Sequence, residues 1–507
     1  MKNLARYVGV FNEYNVYVRF SGYPKIALVY PSTYQASITN LFTHIAYFYL
    51  LEKSDALIDR FTLDNPDRGS ITGRKLREFD LILASANYEL DLLYLAKLLA
   101  DSGVEVLAEK RDMKPLVIVG GLAAMSNPEP FLDLADASFI GDGEILLQKL
   151  VRYLDILPKD PRGFLDSLGE GIYTGEERVK KIFIEDLNNS IHPTVEIRSR
   201  KIEPVFGEGF YVEISRGCRW LCKFCLESYV MYPYRCRSLE TVRNLVDEGL
   251  KHVDRRRVVI YSSSPFDHPG IRDLLKYLVE NEIDFSLPSI RWDTVRLDDL
   301  DMISKSSQRT LTLAPETMSS SLGCSIGKCF DPTAFSELAT AALRRGFNIK
   351  LYIVVGFPSE RDEDLQKTLR HLKKLSTLSR EFGRRLTVNI NPLIPKPHTP
   401  LQDSSLLTEK EYLKRVKLFE VELGRSTITH LQWLYAFAQS LIALGSRPIG
   451  RLFALIASRR LSRRDITELA STLKVDIKFP LRQRTREERP WNRVIFPLDH
   501  IIDRISI

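Results

Sequence analysis

Cysteine is scarce in this 507-residue chain: there are six, and none precedes Cys218. So few thiols with no secretory signal is the usage of a reducing cytosol, and it argues against a disulfide-stapled secreted domain. Long apolar runs are also missing. The longest, residues 431–444, is broken by Gln432, Gln439 and Ser440 and falls short of the roughly 18 residues that a membrane helix needs. No second C-x2-C, no His-x3-His and no internal repeat occurs. What is present is a globular composition, 44% hydrophobic, long enough for about two to four domains. The net charge is +7, and the excess sits in the last hundred residues, where Arg459, Arg460, Arg463, Arg464, Arg482, Arg484, Arg486 and Arg489 cluster. Such a tail suits a polyanionic partner such as RNA. Asp465, Glu468, Glu487 and Glu488 are interspersed, and they equally suit a solvated helix face.

Three of the cysteines lie in Glu213-Ile-Ser-Arg-Gly-Cys218-Arg-Trp-Leu-Cys222-Lys-Phe-Cys225, directly after an apolar strand-like run. The C-x3-C-x2-C spacing lets a short loop wrap three soft thiolates around one face of an iron–sulfur cubane. A zinc site is the alternative, but it needs further ligands, and only Cys236, Cys324 and Cys329 are available. Cys324 and Cys329 are either a catalytic or accessory pair or incidental.

Residues 25 to about 155 alternate short apolar strands with helices. The strands are 25–30, 80–85, 115–121 and 137–141, and the helices 37–52, 90–102 and one opening at Asp142. This alternation predicts an α/β domain with a doubly wound parallel sheet. Gly120, Gly121, Gly141 and Gly143 stand at strand ends, where a nucleotide-bearing ligand can approach the backbone or where a tight turn simply needs glycine. Residues 156–204 read as a connecting segment. From Phe210 the alternation resumes with strands at 210–213, 258–261, 285–289, 310–314, 349–355 and 386–390, a pattern that predicts a partial (β/α)6 TIM-like barrel with its chemistry at the carboxyl strand ends. The expected divisions are 1–155, 156–204, 205–400 and a basic, mainly helical 401–507.

The cysteine loop closely resembles that of the radical S-adenosylmethionine (SAM) superfamily. The resemblance implies that Cys218, Cys222 and Cys225 hold a [4Fe–4S] cluster whose fourth iron chelates SAM and cleaves it to a 5′-deoxyadenosyl radical. It further implies SAM contacts at Phe224, Glu316 in Leu313-Ala-Pro-Glu-Thr317, Gly356 in Tyr352-Ile-Val-Val-Gly-Phe-Pro-Ser-Glu360, and Ser262 and Ser263, which stand where many members carry Gly-Gly-Glu. Reduction by a donor such as flavodoxin or ferredoxin is expected.

The N-terminal motifs narrow the match. Tyr30-Pro-Ser-Thr-Tyr34, Asn87-Tyr-Glu-Leu90, Gly120-Gly121, Asn127-Pro-Glu-Pro130, Ile140-Gly-Asp-Gly-Glu144, Ser286-Leu-Pro-Ser-Ile-Arg291, Asn391-Pro-Leu-Ile-Pro-Lys-Pro-His-Thr-Pro400, Pro490-Trp491 and Pro497-Leu-Asp-His500 together resemble radical SAM proteins with an N-terminal cobalamin-binding-like domain. That family implies cobalamin as a possible second cofactor, held through Gly120, Gly121, Gly141 and Gly143, and methylation of an unactivated carbon as the outcome. The Asp-x-His-x-x-Gly signature of the cobalt ligand is missing: residues 31–38 contain no His, and His44 lies further on. Methylthiolation is disfavoured, because enzymes of that kind carry three additional N-terminal cysteines. A cytoplasmic SAM-dependent transferase is one expectation, with an RNA or ribosome-associated substrate. A non-catalytic iron–sulfur protein that binds RNA or the ribosome is the other.

Overall fold

A computed structural model describes residues 5–457 and 459–505; the outermost positions of the expected divisions, 1–4 and 506–507, lie outside the described residues. The molecule is a mixed α/β protein built on parallel sheets.

The N-terminal sheet contains β1 (Lys25–Val29), β2 (Leu57–Phe61), β3 (Leu81–Ser85), β4 (Leu116–Gly120), β5 (Ala137–Phe139) and β6 (Ile172–Tyr173), in the spatial order β2-β1-β3-β4-β5-β6. All neighbours are parallel except β5 and β6. The continuous Val/Ile/Leu runs of β1, β3 and β4 follow from burial on both faces. Helices α1 (Leu41–Lys53), α2 (Asp91–Asp101) and α3 (Gly143–Tyr153) cover it. This order reverses direction between β1 and β3, and a ligand crevice forms beyond the carboxyl ends of strands at such a point.

Two differences from the sequence expectation stand out. Strand β2, which the sequence reading passes over, carries Asp59 and Arg60 in its middle, and both are buried. The Asp59 carboxylate accepts from Ile71 N, Thr72 N and Thr72 Oγ1, and Arg60 pairs with Glu13, so polar groups are satisfied from distant chain. The helix expected over 37–52 starts only at Leu41, because Asn40 Oδ1 caps it by accepting from Thr43 N at 3.0 Å. The segment 156–204 contributes β6 to the edge of the sheet.

The second half contains two parallel sheets. One is β7 (Phe210–Glu213), β8 (Arg257–Tyr261) and β9 (Asp284–Ser286); the other is β10 (Thr310–Glu316), β11 (Asn348–Val355), β12 (Leu386–Pro392) and β13 (Ile428–His430). The partial (β/α)6 TIM-like barrel expected from sequence is not confirmed by this sheet arrangement. Seven strands form groups of three and four, joined by one parallel bridge between Ile290 and Leu313, with Ile290 N donating to Thr312 O at 2.8 Å. The seventh strand comes from the region expected to be helical. Helices α4 (Pro332–Arg344) and α5 (Asp362–Glu381) bury their apolar stripes against β11 and β12. Among the described residues no helix is long and apolar enough to cross a membrane.

Candidate functional site

The cysteine loop leaves β7 at Glu213. Gly217 turns it with φ +79°, where a side chain would meet Met231 O at 2.6 Å, so only glycine fits. Cys222 is buried and Cys218 and Cys225 are half-buried; Cys225 N donates to Cys222 O at 3.0 Å. Burial pushes the Cys225 thiol up to about 12, and the neighbouring Cys222, Glu227 and Cys218 add to the shift. Burial likewise raises Cys222, against the opposing pull of Lys328 and Arg291. Cys222 and Cys225 are thus costly to ionise without a cation beside them.

Two basic side chains frame this loop. Arg291 Nη1 donates to Cys222 Sγ at 3.4 Å, and its guanidinium lies 3.8 Å from the Trp220 ring centre. Lys328 Nζ donates to Glu316 Oε1 at 3.0 Å. Burial alone would lower Lys328, but Glu316 and then Cys222 hold it above the usual lysine range. Three thiols flanked by buried cations fit an anionic iron–sulfur cluster. A zinc site would need further ligands, and two of the candidates, Cys324 and Cys329, are joined in a disulfide. That disulfide loop packs on the cysteine loop, with Lys223 N donating to Ile326 O at 3.0 Å.

The residues assigned to SAM stand at the same carboxyl strand ends. Phe224 packs edge-on to Phe357 at 5.5 Å, beside Gly356. Gly356 has φ +92°, and its N–H donates to Glu360 Oε2 at 2.8 Å, which accounts for the Glu of that motif. Glu316 ends β10 in the left-handed region at φ +63°, a conformation that costs about 1–2 kcal/mol for a residue with a Cβ. Ser262 Oγ lies 2.7 Å from Ser215 Oγ, and Ser263 Oγ donates to Glu227 Oε1 at 2.8 Å. Arg291, Lys328 and Glu227 carry no role in the sequence reading. Arg291 and Lys328 are 69 and 106 positions from Cys222, and only the fold brings them together.

A cavity of about 540 Å³ opens at the sheet's reversal point, lined by Val29, Ser85 and Gly120 on one side and by Glu213, Arg216 and Tyr261 on the other. Arg216 crosses the boundary, with Asp142 at 3.5 Å, Glu144 at 2.7 Å and Glu213 at 2.8 Å. The four glycines assigned to cobalamin all line the cavity, yet they differ. A Cβ on Gly121 would strike Ala86 O and on Gly141 Ile182 O, so the fold itself demands these two, whereas on Gly143 it would meet only the movable Phe42 ring. A Cβ on Gly120 would meet only Phe139 Cβ, at 3.9 Å. His44 is buried in α1; its Nδ1 accepts from Ile197 N and its Nε2 lies 3.0 Å from Ile38 O, so both ring nitrogens are committed.

The basic tail is largely self-neutralised. Arg459 pairs with Asp465, Arg463 with Glu409, Arg464 with Glu468, Arg482 with Glu488 and Arg489 with Asp403, while the buried Arg484 donates to the Ser404 carbonyl.

Comparisons with known proteins agree with this geometry. The profile "Radical SAM proteins, N-terminal" matches residues 44–166, and "Radical SAM superfamily" matches residues 212–372. An uncharacterized protein of Methanocaldococcus jannaschii is 29% identical, over 80% of this chain and 84% of its own. The tRNA-2-methylthio-N(6)-dimethylallyladenosine synthase of Bacillus subtilis is 23% identical over 63% of this chain; the match spans 64% of that synthase, under two thirds of its length. Among solved structures, the radical SAM methyltransferase TsrM from Kitasatospora setae, with cobalamin and a [4Fe-4S] cluster bound, shares the fold. Its TM-score is 0.53 at 12% identity, with 75% of this chain and 74% of that one covered. Sequence profiles on both halves, and the fold as a whole, make this chain a radical SAM protein with the N-terminal domain characteristic of that group.

Proposed function

We propose that the chain is a radical SAM enzyme in which Cys218, Cys222 and Cys225 hold a [4Fe–4S] cluster. The carrying observation is the convergence of the Cys218, Cys222 and Cys225 loop with Arg291 and Lys328 at the carboxyl ends of parallel strands. When bound, cluster and SAM supply a 5′-deoxyadenosyl radical able to take hydrogen from an unreactive carbon. The protein's share is placement and exclusion of water. Arg291 and Lys328 offset negative charge at the sulfurs. Glu316, held in its strained conformation by Lys328, presents a carboxylate for the polar end of SAM, and Phe224 and Gly356 shape an apolar and backbone surface for its adenine. Ser262 and Ser263 stand in for a more acidic segment, with Glu227 supplying a carboxylate beside them.

The divisions 1–155, 156–204, 205–400 and 401–507 serve as the working domain map, with the two sheets of the second half acting together as the TIM-like barrel. Cobalamin is the proposed occupant of the cavity between sheet and barrel. The support is its position at the reversal point of the sheet, facing the barrel, and the open Gly120. When bound there, it would supply a methyl group, which makes methylation the preferred reaction. His44 is committed elsewhere, so the cofactor would sit without a ligand from α1. An RNA substrate rests on the name of the distant Bacillus relative, and the paired tail arginines give it little.

The test is anaerobic reconstitution with iron and sulfide, followed by assay for 5′-deoxyadenosine after addition of SAM and a reductant. About four irons per chain and product formation are expected, with loss of cleavage in Cys218→Ala, Cys222→Ala and Cys225→Ala. Iron and RNA binding without 5′-deoxyadenosine would instead establish the non-catalytic reading.

A further inference from the structure

One face of the four-stranded sheet of the second half carries polar side chains that nothing among the described residues satisfies. Along β11, Ile349, Leu351, Ile353 and Val355 are buried, as are Val388 and Ile390 on β12, packed with the apolar stripes of α4 and α5. Strand alternation turns Lys350, Tyr352, Thr387, Asn389 and Asn391 to the opposite, concave face, where all are half-buried. Parallel register arranges them in rows: Thr312 beside Lys350 beside Thr387, then Tyr352 beside Asn389, then Val354 beside Asn391.

Among the described residues, no side-chain hydrogen bond or ion pair involves any of these six polar groups. Lys350 Nζ has only the Tyr352 ring, 5.2 Å from its centre, and Asn389 Oδ1 is sealed from solvent without a partner. Elsewhere the sheltered cations have acids or backbone carbonyls: Lys328 has Glu316, Lys396 has Glu89, Arg216 has three acids, and Lys181 and Arg484 have the Tyr232 and Ser404 carbonyls. A sealed, unpaired amide costs about 1–3 kcal/mol, and a half-buried ammonium without a counter-ion adds to that. A protein that pairs its other sheltered charges so thoroughly keeps such a strip for something that arrives from outside.

We propose that this strip is the substrate floor and that the substrate is a small organic anion, a phosphate or a carboxylate. Its acidic group rests on Lys350 and its hydrogen-bonding edge on Asn389 and Asn391. The inference rests on the radical SAM reading and adds the substrate class to it. Rows two residues apart are separated by about 6.6 Å, so the Lys350 row lies about 13 Å below the Val354–Asn391 row, which adjoins Gly356 and the SAM residues. The reacting carbon and the anionic group are therefore separated by about 10–13 Å, the length of a substituted aromatic acid or a phosphorylated aromatic.

The probes are 4-nitrophenyl phosphate, 4-phenylbutyrate and the neutral 4-phenylbutanamide, titrated by ligand-observed NMR into cluster-loaded full-length protein. At least one anion should bind. Lys350→Gln should weaken it tenfold or more, Lys350→Arg should retain it, and the neutral amide should show no difference between wild type and Lys350→Gln. The phosphate and carboxylate arms decide which acid the site prefers. Asn389→Leu should weaken both classes of probe, and thermal melts of each variant exclude unfolding as the cause. Binding of neither anion, or equal affinity in Lys350→Gln, would overturn the proposal. Wild-type protein that binds the anion through Lys350 yet forms no 5′-deoxyadenosine from SAM would overturn the radical SAM reading alone and uphold the anion site.

Discussion

Arg291 aims its Nη1 at Cys222 Sγ from 3.4 Å while its guanidinium lies over Trp220, 3.8 Å from the ring centre. The pair joins the loop after β9 to the cysteine loop after β7. A charge-assisted bond of this type is worth about 1.5 kcal/mol or more, and it strengthens as negative charge accumulates on sulfur.

Removing that bond should make the cluster harder to reduce. Arg291→Gln is expected to lower the one-electron potential by about 60 mV, the equivalent of about 1.4 kcal/mol, while iron content stays at the wild-type level. Redox titration followed by electron paramagnetic resonance measures the shift; an unchanged potential would show that the guanidinium only packs on Trp220.

Gly120 and Gly121 should behave differently despite being neighbours. Gly120→Leu places its side chain in open cavity and should abolish cobalamin uptake, read by visible absorbance, with the cluster intact. Gly121→Ala forces a Cβ into Ala86 O at a φ of +104°, and should lower Tm by several degrees with or without cofactor. Full cobalamin loading of Gly120→Leu would remove the cavity as its site.

Acid should weaken the fold through His192. Its Nε2 accepts from Glu213 N at 3.1 Å, so a proton there would face another N–H. Burial foremost, with Arg237 next, lowers it from 6.5 to about 4. The unfolded chain therefore takes up the proton first as pH falls. The stability this histidine contributes is whole above pH 6.5 and is lost between 6.5 and about 4, up to about 3 kcal/mol. Denaturant titrations across that window should be flatter for His192→Gln than for wild type; parallel curves would contradict the assignment.

The exposed Cys324–Cys329 disulfide closes a short loop, and in the loop-entropy picture it contributes about 2 kcal/mol. Denatured, cluster-free protein should react with four equivalents of a thiol reagent before reduction and six after it. Six from the outset would show the pair to be dithiol.

The cluster loop was legible because its information is local: three cysteines within eight positions, directly after Phe210–Val212. The strands of both halves were legible for the same reason, as short apolar runs. Strand β2 was not, because Asp59 and Arg60 interrupt its run and their partners, Thr72 and Glu13, are supplied from elsewhere in the chain. Lys328 and Arg291 were illegible as site residues, since their significance is a distance to Cys222 that no spacing encodes. The tail reads both ways: a run of arginines suits a grip, yet Arg459, Arg464 and Arg482 are paired with carboxylates that the sequence pattern does not assign to them.

Arg216 holds Asp142 and Glu144 from one half of the molecule and Glu213 from the other, at the rim of the cavity between them. Parting the halves would strand several buried charges at once, at a cost of about 3–5 kcal/mol for an abandoned partner. The seam and the cavity rim therefore share one fastening, so a change at Arg216 reaches the join between the halves and the mouth of the chamber together.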